Sequence, residues 1–395
     1  MIKTDILISG GGVAGLTAAA AFGAAGYSVI CVDPTPPVTD EASDGADLRS
    51  TAFLQPSIAV LQAAGLWARL APHAAALQIM RIVDAGGATP KPRIIKDFDA
   101  GEISDQPFGQ NLPNWLLRRE ILARLAELPN VDFRPGMATT GLLTRTSEAR
   151  VTLSDGTQIS ARLVVAADGR NSTMRSAAGI GVRSFRYGQK ALTFAVTHPI
   201  PHRNISTEIH RSGGPFTLVP LPDRDGRPAS AVVWMERGPE VLRLATLPQT
   251  EFEAAMDERS AGMMGPLTLA GRRMVWPMVA QLATVMSGER LALMAEAAHV
   301  VPPIGAQGLN MSLADLACLL DLAQRHDLGS AAMLNAYQRQ RYPQVEARVL
   351  AVDALNRAAM LGAPALRDLR AAGLNALHAL PPLRRVLMKA GLGLR

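Results

Sequence analysis

Apolar runs and glycine turns alternate along this chain in a strand-turn-helix rhythm. Asp5 to Ser9 reads as a short buried strand, ILIS, that enters Gly10-Gly11-Gly12-Val13-Ala14-Gly15 directly; the Ala-rich stretch behind it predicts a helix to about Ala25. Tyr27 to Val32 predicts a second strand, which ends at Asp33. Near the middle, the run Arg162 to Ala167 stops at Asp168-Gly169-Arg170-Asn171-Ser172. Another apolar strand opens the segment Leu291 to Asn310, LALMAEAAHVVPPIGAQGLN, followed by an acid, a Pro-rich turn and a Gly-bounded helix start. Between these last two lie apolar strands near Leu192 to His198, Ile205 to His210, Phe216 to Leu221 and Ala229 to Met235, with a turn at Pro222-Asp223-Arg224-Asp225-Gly226. They predict an antiparallel sheet. After Ala365, leucines at 366, 369, 374, 377 and 380 recur at near-helical spacing until Pro381-Pro382 ends the helix; Leu383 to Leu394 repeats the mixture.

Composition narrows the class without identifying it. The 395 residues correspond to about two to three domain-sized units, and 48% hydrophobic content supplies a core. Cys31 and Cys318 form no closely spaced metal or redox pair, so a reducing cytosol is expected. Asp5 and the glycine cluster break the opening apolar run where a signal peptide needs continuity. Eighteen apolar residues never run without a charge, so no transmembrane helix is expected. The net charge is +6, but Gln324 to Arg395 holds eleven Lys or Arg against four Asp or Glu, a net +7. That basic tail lacks aromatic interleaving or a nucleic-acid motif; it is read either as a solvated helical face or as a surface for anionic membrane, and nucleic acid is not expected.

Three turns carry the candidate chemistry. In the first, Gly10 permits a tight turn, Gly12 lets the backbone approach a pyrophosphate, and Gly15 lets the helix pack closely on the sheet. Asp33, a little over twenty residues on, is placed for the ribose hydroxyls of an adenosine. This dinucleotide site does not decide between NAD and FAD. In the second, a strand delivers Asp168 and Gly169 at its carboxyl end, where open parallel sheets bind ligands, so this turn should share the cleft. In the third, Glu296 can accept hydrogen bonds from a polyol, and the amides after Gly305 can face developing negative charge, as a reduced flavin requires.

Together, GGGVAG at 10 to 15, ADGRNSTMR at 167 to 175 and AEAAHVVPPIGAQGLN at 295 to 310 resemble the three signatures of class A flavoprotein monooxygenases, in order along nearly the whole chain. Asp47-Leu48-Arg49-Ser50-Thr51-Ala52, Tyr187 with Gln189, Trp276-Pro277 and Tyr337-Gln338-Arg339-Gln340-Arg341 look like the ubiquinone-biosynthesis hydroxylases within that group, nearest in type to the 2-octaprenyl-6-methoxyphenol hydroxylases. The resemblance implies an α/β fold of the p-hydroxybenzoate hydroxylase kind: a Rossmann-like FAD-binding domain (1–73, 108–180 and 285–325), an inserted antiparallel-sheet substrate domain (74–107 and 181–284) and a C-terminal helical tail (326–395). It implies FAD bound by Gly10, Gly12, Val13, Ala14 and Gly15 at the pyrophosphate and by Asp33 at the ribose. Arg49 would lie near the cofactor or its reductant, and Asn114 is a further candidate contact. Asp168 would serve the pyrophosphate region, Glu296 the ribityl chain, and Gly308, Leu309 and Asn310 the flavin ring. One departure stands out: the family usually has Gly-Asp where this chain has Ala295-Glu296, and the extra methylene must be absorbed at about 1–3 kcal/mol if nothing adapts.

The implied activity is hydroxylation of a polyprenylated phenol with O2 through a flavin C4a-hydroperoxide, using NAD(P)H as a transient reductant. No second GxGxxG follows a later strand, against a dedicated nicotinamide domain. With aromatic residues at 4%, the substrate wall should be largely aliphatic. The sequence assigns no catalytic residue: Tyr187 and His299 are the obvious candidates for a phenol base, and each also reads as packing or a turn anchor. His198 and His202 are separated by prolines that rule out a regular helix, and no metal site is expected. Two alternatives stay open: a hydroxylase of another aromatic, and a non-catalytic flavin-fold subunit of a quinone-synthesis complex. The expected location is cytoplasmic, with peripheral contact at the inner face of the membrane through the basic tail.

Overall fold

Strand Ile2–Ser9 sits inside a parallel sheet whose order is Leu291–Leu293, Gln158–Ala166, Ile2–Ser9, Val29–Asp33 and Val131–Pro135. The computed structural model describes residues 1–87, 89–211, 213–360 and 364–393. The strands IKTDILIS, VICVD and QISARLVVA are buried on both faces along most of their length, which is why they read as unbroken apolar runs rather than alternations. Helix Val13–Ala24 covers one face; its alanines 18 to 21 are all buried. Helices Asn114–Leu125 and Gln307–Arg325 pack beside it. Antiparallel strands Ala149–Leu153 and Thr139–Thr144 extend the sheet from Gln158–Ala166.

A second sheet of nine strands runs Val182–Thr197, Arg227–Arg237, Pro215–Arg224, Ile205–His210, Ile79–Asp84 and Ile94–Asp99 in sequence, with Met274–Ala283 on the other side of Val182–Thr197. The expected antiparallel strands are present, but the sheet is mixed: Ile205–His210 pairs in parallel with Ile79–Asp84. That joint links segments more than a hundred residues apart, so local alternation carries no trace of it. One face is filled by Leu192, Phe194, Val196, Phe216 and Trp234 against Val241, Leu244 and Phe252 of two short helices. The other face meets the loop before helix Gln307–Arg325 and the long helix Ala331–Met360, through Ala191, Met235, Met278, Ile304 and Val352. Strand His299–Val300 pairs with Gln281 and Leu282, stitching this sheet to the end of the first.

The tail forms helices Pro364–Ala379 and Pro381–Leu392, broken where the two prolines predict it. The side chains of Leu366 and Leu369 lie outside the described residues. No described helix is long and apolar enough to cross a membrane.

Candidate functional site

Three neighbouring parallel strands end at the same edge of the first sheet, and each delivers one of the three candidate turns. Ser9 leads into Gly10, Ala166 to Asp168, and Leu293 to Glu296; the register pairs Ser9 with Ala166 and Ala166 with Leu293. Residues nearly three hundred positions apart therefore share one edge, as ligand sites of open parallel sheets do.

The glycine turn is built by close approach. Gly10 has φ +109°, and a Cβ there would strike the Ala167 carbonyl; a Cβ on Gly15 would strike the Gly10 carbonyl. Gly12 and Gly308, in contrast, face open space. Helix Val13–Ala24 and helix Gln307–Arg325 both start without a side-chain cap, leaving first-turn N–H groups for an anion. Val13, Ala14 and Leu309 lie half-buried in those first turns. Asp33 accepts from the Gly11 N–H (2.6 Å) and the Thr35 N–H (2.8 Å), bracing the turn as well as facing it. Asp168 uses one oxygen on the Met174 N–H (3.1 Å), while its buried Oδ1 has no donor among the described residues. Open glycine backbone, two uncapped helix starts and an orphaned carboxylate oxygen at one sheet edge fit a pyrophosphate-bearing dinucleotide with a polyol linker.

Arg175, buried, ties the second turn to the third: it donates to the Ala297 carbonyl (2.8 Å) and the Arg170 carbonyl (3.0 Å). Glu296 is exposed on a single turn of 3-10 helix, Ala295–Ala297. The backbone departure lies one residue earlier: Ala295, buried, holds φ +54°, a left-handed conformation that favours the glycine usual there. Ala306, just before the cradle helix, holds φ +56°.

Arg49 and Asn114 meet through Asp47, a hub that no local pattern singles out. The Arg49 guanidinium grips Asp47 with both arms (2.8 and 2.7 Å), and Asn114 donates to Asp47 (3.0 Å) while accepting from the Thr51 hydroxyl (2.7 Å). Burial raises the Asp47 pKa, but the bonds and charges of Arg49, Asn114 and Arg118 outweigh it and hold the carboxyl below its ordinary range. Arg49 also covers the Trp276 ring at 3.9 Å from its centre and feels the charge of Glu296. Asn114 and Asn310 both bond to the scaffold around the site. Asn310 accepts from the Leu54 N–H (2.9 Å) and donates to the Ala52 and Ala306 carbonyls (2.7 and 2.5 Å), fixing the cradle helix to strand Ser50–Leu54.

Behind the third turn lies a buried ion network that no local pattern announced. His299 Nε2 is 2.6 Å from Asp315 Oδ2, and Arg341 donates to Asp315 Oδ1 (2.9 Å); Asp315 is fully buried. Burial raises the Asp315 pKa, yet His299 and Arg341 together hold it below the usual range. Tyr337 donates to the Leu293 carbonyl (2.8 Å). The motif at 337 to 341 therefore supports the strand and turn that carry Glu296. Tyr187 spends its hydroxyl on Asp353 (2.6 Å), and burial together with that carboxylate pushes its pKa well up. His198 places its two nitrogens at the Ile200 carbonyl (2.8 Å) and the Ser230 hydroxyl (2.9 Å).

Residues 3–351 match the family model described as FAD binding domain. The chain is 34% identical over 394 residues to ubiquinone hydroxylase UbiL of Rhodospirillum rubrum, covering 98% of this chain and 89% of the relative. It is 26% identical over 406 residues to 3-demethoxyubiquinol 3-hydroxylase of Escherichia coli, covering 99% of each. Among solved structures, p-nitrophenol 4-monooxygenase PnpA of Pseudomonas putida superposes with a TM-score of 0.80 over the full length of both chains at 19% identity, a likeness of fold.

Proposed function

This chain belongs to the FAD binding domain family, and from that premise we propose that it is a flavin-dependent monooxygenase that hydroxylates the ring of a polyprenylated phenol in ubiquinone biosynthesis. FAD is its cofactor, with NAD(P)H as the transient reductant; when bound, the flavin supplies the redox chemistry that activates O2. The observation that carries the reading is the meeting of Gly10, Asp168 and Glu296 at one sheet edge, beside an apolar sheet face.

The residues divide the work. The open backbone at Gly12 and the first-turn amides after Val13 would hold the pyrophosphate, Asp33 the adenosine ribose, Asp168 Oδ1 a hydroxyl or amide it now lacks, and Glu296 the ribityl chain. The amides opening helix Gln307–Arg325, at Gly308 and Leu309, would stabilise negative charge on the ring. Arg49, steadied by Asp47 and Trp276, brings a fixed cation beside the nine-stranded sheet. The buried cluster of Ala191, Met235, Met278, Ile304 and Val352, with Val233 and Val301 packed against it, is aliphatic apart from Tyr187 and Trp276. An aliphatic surrounding of this kind would suit a prenyl chain and keep water from the reacting centre.

We further place the protein in peripheral contact with a membrane through its basic C-terminal region, and in a quinone-synthesis complex. The test is the purified protein: a bound-flavin spectrum, then NAD(P)H oxidation and oxygen uptake on adding a short-chain prenylated phenol, with one hydroxyl gained per O2. A colourless protein indifferent to FAD overturns the enzymatic reading. Turnover of simple phenols but not prenylated ones overturns the substrate.

A further inference from the structure

The last helix, Pro381–Leu392, has two apolar faces. Met388 and Leu392 are buried against the protein, and Arg384, on the same side, is held by Glu102 (3.0 and 2.6 Å). At about 100° per residue, Leu383 and Val386 project from the opposite side, and Leu387 from the flank beside Leu383. They remain 45%, 62% and 42% exposed, with Leu380 just before the helix at 54%. Arg385, 57% exposed and 3.9 Å from Glu102, and Lys389, one turn on, run along a flank between the two faces. An apolar stripe bordered by cations, at the end of a segment of net +7, complements an anionic lipid surface; a second copy would meet it with the same positive charge.

We propose that this outer face inserts shallowly into an anionic bilayer, with Arg385 and Lys389 reaching the headgroups. The inference deepens the membrane contact above and rests on that reading: Leu383, Val386 and Leu387 do the binding, and the basic charge orients it. The helix is also wired to the cradle. Its Gly391 carbonyl accepts from Gln307 (3.2 Å), the first residue of the helix whose amides would face the flavin ring, and from Arg348 (3.5 Å). Docking there holds the flavin site beside the lipid in which a prenylated phenol dissolves.

The experiment is flotation of full-length, FAD-loaded protein with phosphatidylcholine vesicles, with and without phosphatidylglycerol. Wild type is expected to bind the anionic vesicles and to keep a salt-resistant component. The triple variant Leu383→Gln, Val386→Gln, Leu387→Gln should bind about 10-fold more weakly or worse, and Val386→Gln alone about 3-fold. Arg385→Gln with Lys389→Gln should lose the preference for phosphatidylglycerol. Equal binding by wild type and the triple variant overturns the proposal; so does dissociation of an oligomer by that variant with vesicle binding unchanged. Oxygen uptake with NAD(P)H and a short-chain prenylated phenol in the absence of vesicles, measured in parallel, reads the enzymatic function separately: its failure in wild type counts against that function and leaves the vesicle result standing.

Discussion

The Arg49 guanidinium lies 3.9 Å from the centre of the Trp276 ring, and this contact joins the nine-stranded sheet to a small three-stranded sheet of Ser50–Leu54, Gly109–Pro113 and Ala75–Leu77 at the candidate site. Trp276 belongs to strand Met274–Ala283 of the second sheet, and its indole N–H is fixed by the Thr193 hydroxyl (3.0 Å). Arg49 precedes strand Ser50–Leu54 and is held flat by its two bonds to Asp47. A planar, doubly bonded cation on an aromatic face is something lysine cannot reproduce.

Arg49→Lys should therefore weaken FAD binding roughly 10-fold, through loss of the stacked, bidentate geometry at about 1–2 kcal/mol. Fluorescence titration of the apoprotein with FAD measures this. An unchanged affinity would show that the Arg49–Trp276 contact does not shape the cofactor site.

The two left-handed alanines of the cradle should respond differently to glycine. At Ala306, half-buried, relief of about 1–2 kcal/mol of backbone strain exceeds the entropy that glycine adds to the unfolded chain, so Ala306→Gly is expected to stabilise by about 0.5–1 kcal/mol. At Ala295, buried, loss of a packed methyl worth about 0.8 kcal/mol cancels most of the gain, and Ala295→Gly should be nearly neutral. Ala295→Val, β-branched at the same φ, should cost more than about 2 kcal/mol. Urea unfolding of the three variants ranks them.

Asp315→Asn leaves Arg341 buried beside a neutral partner. Breaking such a network by removing one charge costs about 3–5 kcal/mol, and the loss should fall on the flavin segment, because His299 is anchored by the same carboxylate. Release of FAD at a lower denaturant concentration than global unfolding would be the signature. A variant with wild-type stability would mean that the network is solvated in the native state.

Asp47 and Asp315 both have folded pKa values below their unfolded ones, so the folded state binds fewer protons at these sites and each stabilises the protein fully above the unfolded pKa of about 4. Their contribution falls as pH drops through the folded values. Stability is expected to decline on acidification below about pH 5, and Asp315→Asn should flatten that decline. Thermal melts between neutral and acid pH, run on both proteins, give the two slopes.

Tyr187→Phe should leave turnover within about 2-fold and cost about 1 kcal/mol of stability, because the hydroxyl is engaged with Asp353 rather than with a reacting centre. A fall of kcat by orders of magnitude would return Tyr187 to the chemistry.

The strands, the glycine turn and the proline-broken tail were legible because each follows from short-range physics. A run buried on both faces must be apolar throughout, a Cβ cannot occupy the space at Gly10 or Gly15, and proline cannot continue a helix. The three turns that carry Gly10, Asp168 and Glu296 were likewise readable one at a time. That the Asp168 turn shares the cleft of the glycine turn follows from both standing at strand ends, and the third was joined to them by the resemblance; the strand order that brings them side by side was not readable, since parallel neighbours are chosen across hundreds of residues. The same limit hid the parallel joint between Ile79–Asp84 and Ile205–His210, the Asp47 hub under Arg49 and Asn114, and the His299–Asp315–Arg341 network. Chain order by itself determined which local shapes form and which side chains lie at their ends. Tertiary packing decided which of those ends face one another, because a buried charge or a left-handed alanine is tolerated only where distant segments supply its partner and hold it in place.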